Sequence, residues 1–159
     1  KQEVEKFFWR DFCDNYLEIV KWRVYNGSKQ EKESAFYTLY QSLLTITKMF
    51  APIIPFITEH VYQEHFRKTE KEKSIHISQW PKTTKIGKDK YHNRWKSITD
   101  TISKIRKLKS DNKRPLNAEI ILGLDEGAKS YMKGVLEDFK HVTNAKEIKT
   151  GDFKVEFVE

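Results

Sequence analysis

Between Glu3 and Tyr25 apolar side chains recur every three or four residues, and they leave almost no wet face. Val4, Phe8, Phe12, Tyr16 and Ile19 form the seam, with Trp9, Cys13, Val20 and Val24 flanking it. At about 100° of rotation per residue, the polar arc shrinks to Arg10, Asp11, Asp14, Glu18 and Lys21. A helix this apolar is buried by several neighbours. The chain is therefore expected to open as part of a helical bundle.

The next segments supply those neighbours. Asn26-Gly27 offers a stop, and Ser28-Lys29-Gln30-Glu31 has the spacing of a capping box. The helix it starts carries Ala35, Phe36, Leu39, Tyr40, Leu43 and Ile46, and is expected to end at Ala51-Pro52, because proline disfavours helix in the residue before it. Pro55 suits the first turn of a third helix through about Phe66, with Ile57, Val61, Tyr62 and Phe66 expected to face inward. Arg67–Lys73 reads as a solvated helix end or loop, Ser74–Pro81 as extended or loop-like, and Lys82–Asp89 as a linker.

A long helix fits Tyr91–Lys109 on the stripe Tyr91, Trp95, Ile98, Ile102, Ile105 and Leu108, with Lys96, Lys104, Arg106 and Lys107 away from it. Glu119–Leu124 reads as a strand and Asp125–Val142 as a helix. Glu147–Lys149 and Phe153–Val158 read as strands around a Thr150-Gly151-Asp152 turn. The expected fold class is mainly α: an antiparallel helical bundle, then a long helix and a small α+β C-terminal subdomain. The corresponding segments are 1–81 for a bundle lacking an N-terminal helix, 82–116 for linker and basic helix, and 117–159 for the α+β subdomain. The chain begins at Lys1, which suggests a piece of a longer protein.

Charge divides the chain differently. Residues 81–116 hold twelve basic and three acidic side chains, whereas 1–80 are nearly balanced and 117–159 are net acidic. The middle block thus exceeds the whole chain's net charge of +7. A solvated helix usually mixes signs, so polyanion binding accounts for this block better than a merely wet face. Fifteen of the 21 aromatic residues lie in the first 80, too rich a supply of packing surface for a disordered tail. No apolar run approaches a membrane span, since Ala51–Ile57 is short and broken by two prolines. One cysteine excludes an internal disulfide framework and fits a reducing compartment.

Catalytic constellations are absent from the sequence. There is no glycine-rich phosphate loop. His60 and His65 are five apart, wrong for two metal ligands on one helical face. Asp11, Asp14 and Glu18 read as an ion-pair ladder with Arg10 and Lys21 rather than paired catalytic carboxylates, and Cys13 as a small buried hydrophobe. Arg23, beside Trp22 and Tyr25, has two readings: a snorkelling arginine at a helix end, or a guanidinium on an aromatic platform that meets a phosphate or base. The candidate binding residues are Lys21, Trp22 and Arg23 near the end of the first helix, with Lys104, Lys107, Lys109, Lys113 and Arg114 on the basic arm.

Three segments carry a resemblance. Phe7–Lys21, with Phe12-Cys13-Asp14-Asn15-Tyr16-Leu17-Glu18 at its centre, resembles the first helix of the anticodon-binding domain of class I aminoacyl-tRNA synthetases, most of all the valyl type. Met49–Glu59 is similar to that family's Ala-Pro…Pro-Phe turn and helix, and Ser74–Pro81 to the segment that closes its bundle. Ile105–Lys109 with Pro115–Ala118 is similar to a stretch of archaeal-type valyl enzymes. The sequence departs from the family in carrying Asn15 where tryptophan is usual, and in lacking the opening bundle helix, the editing domain and the two signatures that bind ATP. The isoleucyl and leucyl enzymes are the alternatives within the class. A helical protein-interaction scaffold is the alternative outside it.

The resemblance implies a segment that binds the anticodon stem-loop of tRNA and is joined to the rest of a cytoplasmic, monomeric ligase chain. ATP with magnesium would belong to the parent's catalytic domain, with no cofactor in this segment. RNA physics says how such a segment works. Loop bases are unstacked and can lie on aromatic or arginine planes, while basic side chains attract the phosphates with salt-dependent affinity.

Overall fold

The structure, a computed structural model, describes residues 1–82 and 88–158, and only the backbone of 88–90. It is mainly helical and ends in a small α+β part, the expected fold class. The chain forms two compact units. One takes Lys1–Leu17 and the chain from Arg23 into the linker; the other takes Glu18–Trp22 and the chain from the linker onward.

In the first unit, α1 (Gln2–Lys6) passes into a π-helical stretch, Phe7–Leu17, which continues into α2 (Glu18–Asn26). The helical expectation holds, but its middle is wound on i→i+5 spacing, unusual in being so long. Asn15, buried, donates from Nδ2 to the carbonyl of Arg10, five residues back, at 2.7 Å. Phe8, Phe12 and Tyr16 stack in sequence along the same stretch.

α3 (Lys29–Phe50) starts as expected. Ser28 Oγ accepts from Glu31 N–H, and Glu31 Oε2 accepts from Ser28 N–H. Gly27 is needed just before it, since a Cβ there would stand 2.5 Å from the Arg23 carbonyl. α3 ends at Phe50, and α4 (Pro55–His65) begins with Pro55 in its first turn. Their shared core gathers Leu44, Ala51, Tyr62, Phe66 and Ile75, with Tyr40 and Val61 against it.

Ile57 corrects the expectation. The buried line on α4 runs Thr58, Tyr62, Phe66 at four-residue spacing, so Ile57 falls one position round and is 62% exposed. α5 (Arg67–Glu70) is a single turn, and Ile75–Ile77 forms a short 3-10 turn inside the segment read as extended. Of the linker Lys82–Asp89, residues 83–87 lie outside the described residues.

In the second unit, α6 (Lys88–Asp111) is longer than the stripe suggested. Ile98, Ile102 and Ile105 are buried and Trp95 packs against their cluster, whereas Tyr91 is exposed. β1 (Ile120–Leu124) buries alternate residues, Ile120, Leu122 and Leu124, in the same core. The single helix expected over Asp125–Val142 is two, α7 (Glu126–Tyr131) and α8 (Leu136–Thr143), broken where Gly134 takes φ +82°.

β2 (Ala145–Thr150) and β3 (Lys154–Phe157) do not pair with each other. The sheet order is β2-β1-β3, with β1 parallel to β2 and antiparallel to β3. A parallel pair needs a crossover, which α7 and α8 supply. The Thr150–Asp152 turn therefore carries the chain past the end of β1, where Gly151 N–H reaches the Leu124 carbonyl.

Candidate nucleic-acid interface

The first unit displays flat rings. Trp9, Tyr25, Phe36, Tyr37, Phe56 and Trp80 are all exposed. Sequence reasoning chose Trp22 instead. Trp22 is half-buried in the second unit and stacks on His141 of α8, with centroids 5.3 Å apart and planes 18° apart. Its plane is thus already covered by a histidine. In the opening helix no periodic signal separates exposed from packed aromatics, because apolar residues take up most of its circumference.

Arg23, in the first unit, is half-buried, and its charge acts on Glu31. The Ser28 backbone N–H and hydroxyl chiefly hold the Glu31 carboxyl below its ordinary value, and Arg23 adds to that. Lys21 is exposed but bonded to Glu18 at 2.7 Å. Neither is bare charge.

The basic arm sorts more sharply. Arg94 is spent on the carbonyls of Tyr131 and Lys133, and Lys96 pairs with Asp100 at 2.7 Å. Lys109 is a correction. It was expected to face a polyanion, but it is 1% exposed and its Nζ donates to the carbonyls of Leu116, Ala118 and Thr143 at 2.7–2.8 Å. Three acceptors match the three N–H bonds of an ammonium, and burial lowers the Lys109 pKa from its ordinary value. The signal was available: Ile98, Ile102, Ile105 and residue 109 continue one four-three-four spacing, so the lysine occupies the apolar stripe.

Four candidates remain exposed together on the second unit: Lys104, Lys107, Lys113 and Arg114. Lys104 Nζ stands 5.9 Å from the Phe153 ring centroid, and the Arg114 guanidinium 5.7 Å from that of Phe157. Phe153 immediately precedes the edge strand β3 and Phe157 is its last residue. The two cations therefore sit at either end of one edge of the sheet. Lys107, one turn on from Lys104, lies on the same side of α6, and Lys113 adjoins Arg114. Rings that carry cations on their faces hold them without neutralising them. The result is exposed positive charge at both ends of β3, with Lys107 and Lys113 exposed nearby in sequence.

The end of α6 is sharply defined. Lys113 N–H bonds the Ser110 carbonyl, Arg114 N–H bonds the Lys109 carbonyl, and Lys113 takes φ +53°. This is a Schellman ending with lysine in the left-handed position that glycine usually fills.

Two of the motif-bearing segments meet in the first unit. Glu59 accepts from Ser74 Oγ at 2.8 Å, Ile75 N–H at 3.0 Å and Gln63 Nε2 at 2.5 Å. Burial opposes its ionisation, yet these hydrogen bonds and His76 together hold its carboxyl below the ordinary value. The segment after α5 is thereby fastened to α4, so these motif residues build scaffold. Among the described residues, no group of three or more histidine, cysteine or acidic side chains could hold a metal ion.

Helices with exposed rings, followed by a cationic edge, are the features of a nucleic-acid-binding module, and comparison gives the class. A family model, that of the anticodon-binding domain of tRNA ligase, matches residues 2–124, and the chain belongs to this family. Among individual proteins, it is 37% identical over 151 residues to the valine–tRNA ligase of Anaplasma marginale, covering 91% of this chain and 17% of that protein. It is 36% identical over 151 residues to that of Orientia tsutsugamushi, covering 91% and 18%. To the valine–tRNA ligase of Haloarcula marismortui it is 37% identical over 120 residues, covering 76% and 12%. The chain thus spans less than a fifth of the length of these relatives.

Proposed function

We propose that this chain is the tRNA-binding portion of a valine–tRNA ligase, engaging the anticodon stem-loop while the parent attaches valine elsewhere, using ATP, in the cytoplasm. The exposed cations Lys104, Lys107, Lys113 and Arg114, two of them held on rings at either end of β3, are the observation that carries the binding reading. A-form RNA presents phosphates that such cations attract, and splayed loop bases offer faces to exposed rings such as Tyr25 and Tyr37. The ATP-binding signatures lie outside this sequence, and no residue here is assigned to ATP or magnesium. No helix among the described residues is long and apolar enough to cross a membrane.

The test is a titration of the 159-residue chain with a tRNA bearing a valine anticodon and with an anticodon-swapped copy, across salt. Tighter binding to the valine anticodon, weakening steeply with salt, is expected. Equal binding to both would leave the chain a charged support that reads nothing. Absence of binding at low salt would remove the RNA reading.

A second reading, a protein-docking surface, draws on Phe56, which is 89% exposed on α4 beside the exposed Ile57. It predicts a complex with the rest of the ligase chain that salt barely affects. Such packing is compatible with RNA binding on the other unit.

A further inference from the structure

We infer that Lys109 is a positioning residue: it fixes the loop after α6 so that Lys113 and Arg114 are held in one pose toward RNA phosphates. The inference rests on the RNA-binding reading above. Lys109 grips that loop twice. Its carbonyl accepts from Arg114 N–H at 2.8 Å, and its ammonium reaches round to the carbonyls of Leu116 and Ala118. The cationic pair therefore lies inside a short span with both ends tied to one side chain and its own backbone.

The third bond of the ammonium, to the Thr143 carbonyl, anchors the span to the end of α8. Asn144, in the left-handed cap position after α8, adds a bond from Nδ2 to the Asn117 carbonyl. Three consecutive carbonyls, 116 to 118, are thus each held by a side chain. A lysine spent entirely on backbone carbonyls in a buried place supplies geometry, and the charges it arranges are its exposed neighbours. Held in place beforehand, those neighbours lose little freedom when they meet a phosphate.

The test uses the 159-residue chain and the same tRNA across salt, with three variants: Lys109→Met, Asn144→Gly, and the pair Lys113→Asn with Arg114→Gln. Asparagine tolerates the left-handed position of Lys113, and glycine that of Asn144. The pair is expected to reduce the slope of log K against log salt by about 1 to 2, the worth of two phosphate contacts. Folded Lys109→Met should reproduce that loss although it removes no exposed charge, and combining it with the pair should add nothing further.

Full additivity, or a wild-type slope in folded Lys109→Met, would overturn the inference while leaving RNA binding standing. Failure of the wild-type chain to bind is a different result and strikes the RNA reading itself. Should Lys109→Met not fold, Asn144→Gly decides. Faster amide exchange over residues 116–118 with a reduced slope supports positioning, and the same exchange with an unchanged slope refutes it.

Discussion

The two units solve the problem of presenting a surface in opposite ways. The first unit is nearly neutral in sequence, packs rings on rings (Phe8 on Phe50, Tyr40 on Phe66), and leaves other rings bare. Its internal polar bonds, such as those to Glu59, fasten one helix to one segment. The second unit uses two rings, Phe153 and Phe157, as props for cations and commits a buried lysine to shaping a loop. On the proposed reading, one offers planes for bases and the other charge for phosphates. Affinity and selectivity for RNA can accordingly reside in different units, and the contrast is open to experiment.

The largest effect should come from the cores. Phe139→Ala in the second unit and Phe66→Ala in the first each empty a site that is at most 2% exposed, and each should cost about 3–5 kcal/mol in denaturant titration. Hydrogen exchange should rise mainly within the mutated unit. Equal loosening of residues 29–70 by Phe139→Ala would erase the distinction between the units.

Next comes the fastening of the first unit. Glu59→Gln should cost about 1.5–3 kcal/mol, the range for a hydrogen bond to a charged group. Because the folded carboxyl titrates below its ordinary value, its stabilisation is complete above the unfolded pKa of roughly 4.3 and is lost as pH falls through the lower folded value. Thermal melts from pH 7 to pH 3 should bring wild type and Glu59→Gln together at the acid end. A gap constant with pH would mean that Glu59 acts through packing.

Ser28→Ala removes one half of the capping box and should cost about 1 kcal/mol, read as a lower melting temperature with no change in salt slope for RNA. The smallest effect belongs to single cations. Lys104→Ala should lower the RNA salt slope by about 0.7–0.9 and leave anticodon discrimination unchanged. A change in discrimination would place base reading on the second unit and sink the division of labour.

Much of this was legible beforehand, for reasons particular residues illustrate. Ser28 with Glu31, and Pro55 in a first turn, act through backbone groups a few residues away, so local sequence is sufficient. The family resemblance rested on segments that the structure shows to be scaffold, Glu59 meeting Ser74 and Ile75. The binding residues were harder to find. Trp22 and Tyr25 look alike in sequence, yet one lies on His141 and the other is bare, because stacking depends on a partner more than a hundred residues away. That β2 and β3 each pair with β1 instead of with each other was similarly hidden, since a Thr-Gly-Asp turn joins them in either arrangement.

By itself the amino-acid order determined the long helices, the caps at Ser28 and Pro55, the family and the concentration of positive charge in one block, since each depends on neighbours within a few positions or on composition. Only the tertiary structure decided which charges face outward. Lys109 and Lys107 differ by two places on one helix, and about 200° of rotation sends one into the core and the other into water. That rotation has meaning only once β1, α8 and β3 pack against α6, because a long amphipathic side chain takes its role from what lies across from it.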